Sequence, residues 1–315
     1  MLAKGCRVLI TGGAGYLGCV LSERLLAAGC RVTVVDNLMY GAAPLLQLCH
    51  DDAFDFVQGD ARDHSLMAGL VAKADVIVPL ACIVGAPACD RDPVTARSTN
   101  LDAIRMLVGL RSARQLIIFP TTNSGYGTKA GDFHCTEETP LEPISLYGVT
   151  KVEAEKIVLA APHTVTLRLA TVFGMSPRMR TDLLVNHFVL AAVRERYLVV
   201  FEKDFKRNYV HIRDVADGIL HTLTNADAMA GKPYNLGLEN ANLSKEELAQ
   251  KVQEQVPGFY VHYAAIGADP DKRNYIVSNE RIRSAGFEAA RSLDAGIAEL
   301  LKGYRMLGRA PLGNV

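Results

Sequence analysis

The sequence predicts an α/β fold in which a doubly wound parallel sheet is followed by a smaller α/β lobe. Short apolar runs, typical of buried strands, alternate with segments of helical periodicity in the first half of the chain. A glycine-rich turn separates the first strand from the first helix. Such alternation favours parallel strands joined by right-handed crossovers. We expect residues 1–174, with some later segments, to form the sheet domain and residues 175–315 to form most of the second lobe.

The first predicted strand, residues 7–10, leads into the spacing G-x-x-G-x-x-G at Gly12, Gly15 and Gly18. The helix that follows ends at Gly29, a residue that suits a left-handed cap. A glycine turn between a strand and a helix places a pyrophosphate against the helix N-terminus, as in Rossmann dinucleotide-binding folds. A glycine turn without a ligand is the alternative that this motif alone leaves open.

The second predicted strand, residues 31–35, ends at an acidic residue. Asp36 lies about 20 residues past the glycines, where a carboxylate binds the ribose hydroxyls of NAD. Asn37 and Leu38 follow, so this segment offers no basic side chain for the 2′-phosphate of NADP. The sequence therefore favours NAD over NADP.

The later predicted elements also place small or polar residues at strand ends. They are strands at 54–57, 76–80, 116–119 and 164–169 and a helix at 93–110 that contains Asn100. Asp60 and Ala61 follow the first of these strands, Leu80 and Ala81 lie at the end of the second, and Thr122 follows the third. Ligands of doubly wound sheets bind outside these carboxyl ends.

Tyr147-Gly148-Val149-Thr150-Lys151 supplies the predicted acid/base chemistry. On a helix, residues four apart share a face, so the Lys151 charge is placed to stabilise the Tyr147 phenolate. A tyrosine tuned in this way can move protons near neutral pH. Spacing alone is weak support, and the pair gains weight from the glycine turn, Asp36 and Thr122.

With these residues and three further motifs, the sequence resembles the extended short-chain dehydrogenase/reductase family, in its nucleotide-sugar epimerase and dehydratase branch. The motifs are Tyr126-Gly127, the stretch from Arg168 to Gly174 and the stretch from Arg207 to Val215. In the stretch that ends at Gly174, Thr171 and Phe173 depart from the family pattern R-x-x-N-x-Y-G. The resemblance covers essentially the whole chain.

The resemblance implies that Thr122, Tyr147 and Lys151 are catalytic, that Asp60 and Ala61 contact adenine, and that Lys151 contacts the nicotinamide ribose. The expected NAD-binding residues are Gly12, Gly15, Tyr16, Leu17, Gly18, Asp36, Asn37, Asp60, Ala61, Leu80, Ala81, Asn100, Tyr147 and Lys151. The expected substrate-binding residues are Asn123, Ser124, Asn186, Arg207 and Arg273.

Two of these arginines, Arg207 and Arg273, suit a nucleotide-diphosphate sugar because guanidinium groups bind phosphate in bidentate fashion. By contrast, Arg178 and Arg180, each taken singly, are expected to be solvated surface charges. His211, within an apolar run, is expected to be structural.

The residues after Thr122 bear on the reaction. Dehydratases of this branch carry acidic residues there, whereas this chain has Asn123 and Ser124, which disfavours loss of water. Sequence stretches around Pro79, Thr122 and residues 170–180 look most like the GDP-heptose 4-dehydrogenase group of bacterial capsule pathways. We therefore expect NAD-dependent oxidation of a nucleotide sugar at C4. A 4-epimerase is the alternative, and a 4,6-dehydratase or a non-catalytic NAD-sensing protein are further interpretations.

Composition bounds the partners. The 34 basic and 34 acidic residues balance, so no nucleic-acid or membrane partner is expected. The chain has no segment that resembles a signal peptide or a membrane span, and we expect a cytoplasmic protein. Seven scattered cysteines without C-x-x-C predict neither disulfides nor a metal site. Apolar helices near 94–110 and 145–160 predict a homodimer.

Overall fold

The computed structural model describes residues 5–129, 133–265 and 273–308. Its strands are β1 Arg7–Thr11, β2 Arg31–Asp36, β3 Phe54–Gln58, β4 Val76–Pro79, β5 Leu116–Thr122, β6 His134–Cys135, β7 Thr164–Leu169, β8 Thr171–Phe173, β9 Tyr197–Phe201, β10 Lys206–His211, β11 Lys232–Leu236, β12 Asn242–Ser244, β13 Tyr260–Ala264 and β14 Ile276–Val277.

Its α-helices are α1 Tyr16–Ala27, α2 His64–Val71, α3 Ala86–Arg91, α4 Pro93–Arg97, α5 Ala103–Leu110, α6 Leu146–Leu159, α7 Leu184–Arg194, α8 Ile212–Thr224, α9 Ala226–Met229, α10 Lys245–Gln255, α11 Glu280–Ser284 and α12 Leu293–Leu307. Short 3-10 helices span Ala43–Leu48 and Asn123–Tyr126, and a π-helical turn, Ser98–Asp102, joins α4 to α5.

A seven-stranded sheet forms the centre of the fold, in the order β11-β7-β5-β4-β1-β2-β3. Every neighbouring pair in it is parallel. The direction of winding reverses at β1 and β4, so the carboxyl ends of these two strands flank the crevice where ligands of such sheets bind. The predicted Rossmann-like α/β fold is confirmed.

Helices cover both faces of this sheet. Because side chains alternate along each strand, the apolar core forms two clusters, one on each face. Val8 and Ile10 of β1 pack into one apolar cluster together with α1. The intervening Leu9 packs into a second cluster with α2, α5 and α6. Successive strand residues point to opposite faces, so a run of apolar residues is what a strand buried on both sides requires.

Smaller sheets lie in the later part of the chain. Strand β10 pairs with β8 in parallel and with β12 in antiparallel fashion, while β9 pairs with β13 and β6 with β14. The division into lobes at residue 174 stays a prediction. Among the helices of the described residues, none combines the length and apolar character needed to cross a membrane.

Candidate active site

The glycine turn between β1 and α1 is shaped by close approaches of backbone to backbone. Gly12 has φ +72°, and a β-carbon there would lie 2.5 Å from the Ala81 nitrogen. A β-carbon on Gly18 would lie 2.5 Å from the α-carbon of Gly13. Both glycines are therefore needed to fold the turn against its neighbours.

Gly15 differs, because a β-carbon there would approach only the Gly12 carbonyl oxygen, at 3.1 Å. Gly15 is the N-cap of α1, and no side chain caps that helix end. The packing of the protein leaves room for a side chain at Gly15. A pyrophosphate bound at the α1 amides would take up that room and so exclude a side chain there. The turn thus fits the phosphates of a dinucleotide.

Asp36 at the end of β2 fits the ribose of the same cofactor. One carboxylate oxygen accepts from the Ala14 amide at 3.0 Å and the other from the Leu38 amide at 2.8 Å. Each oxygen keeps a lone pair for a ribose hydroxyl. The Asn37 side chain accepts from the Met39 amide at 3.1 Å, so it shapes the same segment.

The predicted adenine residues follow β3. Asp60 forms an ion pair with Arg62, and the hydrogen bonds from that guanidinium lower the pKa of Asp60. Ala61 lies between them and is half-buried. At the end of β4, the amides of Leu80 and Ala81 donate to the carbonyl and hydroxyl oxygens of Thr11, which fixes this loop beside the glycine turn.

Asn100 lies in the π-helical turn and is fully buried. Its side chain accepts from the Ile83 amide at 2.8 Å and donates to the Ile83 carbonyl at 2.9 Å. It also approaches the Thr150 hydroxyl of α6, at 3.5 Å. The amide therefore braces the loop after β4 against α6, and its direct contact with the cofactor stays a prediction.

Tyr147 and Lys151 lie on α6, which begins where the Ser145 hydroxyl caps the Gly148 amide. Tyr147 is half-buried, and among the described residues its hydroxyl has no hydrogen-bond partner. The buried Lys151 ammonium donates to the Pro120 carbonyl at 2.8 Å and lies 4.0 Å from the Phe119 ring centroid. Two of its three protons are left for other acceptors.

Burial, and to a lesser extent Cys82, raises the pKa of Tyr147, whereas Arg180 and Arg273 lower it. Burial also lowers the pKa of the Lys151 ammonium. The sequence suggested that Lys151 stabilises the phenolate. In the structure the Lys151 ammonium is hydrogen-bonded to the Pro120 carbonyl. The charges that lower the pKa of Tyr147 are instead those of Arg180 and Arg273, which lie on other elements.

Thr122 is buried at the end of β5 and is bonded to Ser124. Its hydroxyl donates to the Ser124 hydroxyl at 2.8 Å and accepts from the Ser124 amide at 3.0 Å. Arg273 donates to the same Ser124 hydroxyl. The Thr122 oxygen keeps one lone pair, so it can still accept from a ligand hydroxyl.

Asn123 is 1% exposed, and neither atom of its amide has a hydrogen-bond partner within the described part of the chain. An unpaired buried polar group costs about 1–3 kcal/mol. A ligand hydroxyl that both donates and accepts would remove this cost. Both amide atoms are nevertheless buried from solvent in the structure, so the predicted role of Asn123 in substrate binding stays a prediction.

The two predicted phosphate-binding arginines converge on one tyrosine. Burial raises the pKa of Tyr209, while the charges of Arg207 and Arg273 both lower it. Arg207 is buried, donates to the Lys206 carbonyl at 3.2 Å and lies 5.8 Å from the Tyr275 ring centroid. Arg273, which donates to the Ser124 hydroxyl, provides positive charge beside Ser124.

Asn186 and Tyr16 are used within the protein. The Asn186 amide accepts from the Gly174 nitrogen at 3.1 Å and donates to the Tyr16 hydroxyl at 3.1 Å and to the Arg180 carbonyl at 2.9 Å. The Tyr16 hydroxyl donates to the Gly174 carbonyl at 2.8 Å. Leu17 packs against the core. Contacts of these three residues with ligands stay predictions, and for Asn186 to donate to a ligand, one of its two amide protons must change partner.

The expectation for Arg180 is wrong. Its side chain is only 17% exposed, its Nε donates to Asp182 at 2.8 Å, and its charge acts on both Tyr147 and Tyr16. Cys82, in the loop after β4, is a second neighbour of Tyr147 that sequence reasoning missed. Position in the sequence could have identified Arg180 and Cys82, since both residues follow strands at the carboxyl edge of their sheets.

Comparisons with known proteins identify the family of the chain. A sequence model described as the NAD dependent epimerase/dehydratase family matches residues 8–237. A relative named as an uncharacterized UDP-glucose epimerase, YtcB, of Bacillus subtilis (strain 168) is 30% identical over 261 residues, which cover 77% of this chain and 78% of that protein.

Two solved structures illustrate the shared fold. The dTDP-glucose 4,6-dehydratase DesIV of Streptomyces venezuelae, with NAD and TYD bound, gives a TM-score of 0.82 at 25% identity, over 95% of this chain and 97% of its own. The UDP-glucose 4-epimerase of Thermotoga maritima, with UDP-glucose, gives a TM-score of 0.82 at 23% identity, over 95% and 99%.

A glycine turn with a carboxylate after the second strand, beside a tyrosine and a lysine one helical turn apart, defines a dinucleotide-dependent oxidoreductase site. The chain belongs to the NAD dependent epimerase/dehydratase family, and its cofactor is NAD.

Proposed function

We propose that this protein uses NAD to oxidise a nucleotide-diphosphate sugar at C4 and releases the 4-keto sugar with all its oxygen atoms. The observation that carries the proposal is the pair Asn123 and Ser124, which follow Thr122 where dehydratases of the branch have acidic residues. The sequence resemblance makes GDP-heptose the first substrate to test.

Bound NAD supplies the acceptor for the hydride that leaves the sugar carbon. Tyr147, as the phenolate, takes the single proton of the C4 hydroxyl, and within the described residues its oxygen has no other hydrogen-bond partner. Thr122 orients the C4 oxygen by donating its own hydroxyl proton to it, in place of the hydrogen bond to Ser124. Arg180 and Arg273 stabilise the phenolate by their charge, and Arg207 and Arg273 bind the diphosphate.

Loss of water across C5 and C6 requires a group that gives a proton to the departing C6 oxygen. An asparagine amide does not titrate near neutral pH, and a serine hydroxyl is a very weak acid. The Ser124 oxygen also accepts hydrogen bonds from both Thr122 and Arg273. These contacts support a reaction in which the C6 oxygen is retained.

A 4-epimerase is the second candidate, favoured by the names of the relatives from Bacillus subtilis and Thermotoga maritima. It would use the same proton transfer by Tyr147 and would then return the hydride to the opposite face of C4. The two reactions differ in whether the keto sugar leaves before this return.

The test is a panel of GDP-, UDP-, CDP- and dTDP-sugars that includes GDP-heptose, analysed by product mass, C4 configuration and the absorbance of bound NADH. A product lighter by two hydrogen atoms supports the dehydrogenase. Unchanged mass with an inverted C4 supports the epimerase. A product lighter by one water would contradict both, and NAD binding without turnover of any sugar would favour the non-catalytic alternative. Tyr147→Phe is the control for enzyme-dependent conversion.

A further inference from the structure

A cavity of about 640 Å³ lies outside the residues assigned to cofactor and substrate. Its walls come from four places: Tyr40 and Pro44 after β2, residues 175–179 after β8, Arg213 at the start of α8, and the C-terminal part of α12. Cavities of about 300–1,000 Å³ are the size that holds small organic ligands. None of the residues expected to bind NAD or the sugar nucleotide is among those that line it.

The charges around this cavity are unbalanced. Arg178, Arg213 and Lys302 line it together with a single acid, Glu299. Glu299 is already occupied, because its two oxygens meet the His211 ring at 3.1 Å and the Met175 amide at 2.8 Å. The cavity therefore presents a net positive charge to a ligand.

The remaining walls are apolar and adaptable. Met175, Met179, Met306 and Leu307 line the cavity, and methionine side chains adjust to ligands of varied shape. The Arg178 guanidinium lies 4.5 Å from the Tyr40 ring centroid, so a flat cation and an aromatic ring stand side by side in one wall. Such walls suit a ring system rather than a bare inorganic anion.

The wall formed by residues 175–179 is held in place from behind. The Ser176 hydroxyl donates to the Tyr16 carbonyl at 2.8 Å and lies 3.1 Å from the Cys19 sulfur. The Met175 amide is fixed by Glu299. The cavity is thus formed by the protein's own contacts, as ligand sites usually are.

We propose that this cavity is a second ligand site, which binds a small amphipathic anion: a flat apolar ring system that carries one strongly acidic group. The rings lie against the methionines and Tyr40, and the acidic group lies toward Arg213 and Lys302. The residues that line it differ from those expected to bind NAD and the sugar nucleotide.

The probe is 8-anilinonaphthalene-1-sulfonate, titrated by fluorescence into the full chain saturated with NAD. We expect one saturable site per chain. The uncharged analogue N-phenyl-1-naphthylamine, which has the same rings without the sulfonate, should bind at least about tenfold more weakly. Lys302→Glu should weaken binding of the sulfonate about tenfold, because attraction is replaced by repulsion.

Arg305→Glu is the matched control, since it makes the same charge change on an exposed residue of α12 that does not line the cavity. It should leave binding within about twofold of the wild type. If Lys302→Glu does not fold, Arg213→Glu makes the same test from α8. The absence of a saturable probe site in the NAD-saturated protein, equal affinity for the uncharged analogue, or equal losses in the test and control variants would overturn the proposal.

Discussion

At the scale of single residues, the chemistry depends on the charges around the Tyr147 hydroxyl. Burial favours the neutral phenol, whereas Arg180 and Arg273 favour the phenolate. Lys151 is held by the Pro120 carbonyl. The proposed acid/base group is therefore a phenol whose ionisation is opposed by burial and favoured by two arginines that lie far from it in sequence.

The first prediction is that Tyr147→Phe keeps the fold and NAD binding but lowers turnover by about 100-fold or more, the scale of general acid/base catalysis. The change removes one hydroxyl that has no hydrogen bond to the described residues, so stability should hardly change. Steady-state kinetics and thermal unfolding measure both effects. Unchanged turnover would assign the proton transfer to another group.

The second prediction concerns pH. Sugar oxidation requires the phenolate, so its rate should rise with pH through the pKa of Tyr147. Because Arg180 lowers that pKa, Arg180→Gln should move the rise to higher pH. Arg178→Gln, in the same loop but stacked on Tyr40, is the control and should leave the profile in place. A pH–rate profile with identical midpoints for all three proteins would exclude the role of Arg180.

Sequence reasoning at this scale succeeded where a local pattern determines the contact. The glycine spacing and Asp36 lie within one turn or one strand end, and the structure brings them together. It failed for Arg180, because the burial of that side chain depends on Asp182 and on the folding of residues 174–180 over α1. The hydrogen bonds of the Asn186 amide could not be predicted either, since one of its partners, Tyr16, is 170 residues away in sequence.

At the scale of elements, the glycine turn must allow α1 to pack closely and must leave room for the cofactor, and different glycines serve these two needs. Gly18 is needed for α1 to approach the turn, whereas Gly15 faces little of the protein. A single extra methyl group therefore has different consequences at the two positions.

The third prediction is that Gly15→Ala changes the free energy of unfolding by less than about 1 kcal/mol but lowers NAD affinity about tenfold or more, because its methyl group occupies the approach to the α1 amides. Gly18→Ala should instead destabilise the fold by about 1–3 kcal/mol, the usual cost of overpacking. Urea unfolding and calorimetric NAD titration distinguish the two. Normal NAD affinity in Gly15→Ala would remove the turn from the cofactor site.

A buried ion pair ties β7 to α6. Arg168 donates to Glu155 through Nε at 2.9 Å and through Nη2 at 2.6 Å, and its other nitrogen donates to the Tyr126 hydroxyl and the Glu137 carbonyl, each at 3.0 Å. Both partners are almost fully buried. The pair positions the helix that carries Tyr147 and Lys151.

The fourth prediction is that Arg168→Met destabilises the protein by about 3–5 kcal/mol, since Glu155 is left as an unpaired buried charge. Arg97→Met is the control, because Arg97 of α4 pairs at 3.2 Å with Glu153, which lies on the same helix as Glu155, and both side chains of this pair are about half exposed. Its loss should cost at most about 1 kcal/mol. Equal losses in urea unfolding would show that burial of the pair does not matter.

The main elements could be predicted because each carries its own pattern. Strands β1 to β5 and β7 are apolar runs before small or polar residues, and α1 ends before Gly29. The π-helical turn within the predicted helix at 93–110 could not be predicted, because one extra residue in a turn does not change the hydrophobic periodicity of the sequence. The short β6–β14 pair depends on contact between distant segments.

At the scale of the whole molecule, the predicted homodimer remains to be tested. The residues that motivate it lie on α4 to α6, where Val94 is 80% exposed. The fifth prediction is a dimer at micromolar concentration, with an interface on the order of 2,000 Å². Light scattering measures it directly, and a mass of 34.1 kDa at every concentration would contradict it.

Strand β11, the last strand of the central sheet in sequence, is synthesised well after the strand with which it pairs. Strand β11 pairs with β7 from Lys232 beside Val165 to Leu236 beside Leu169. At a synthesis rate of about 5–20 residues per second, the nascent chain carries β7 for several seconds before its neighbour is made. During that interval β7 is an open edge of the sheet, the feature that invites aggregation. Strand β11 thus shields β7, and chaperone binding should be most frequent at this stage of translation.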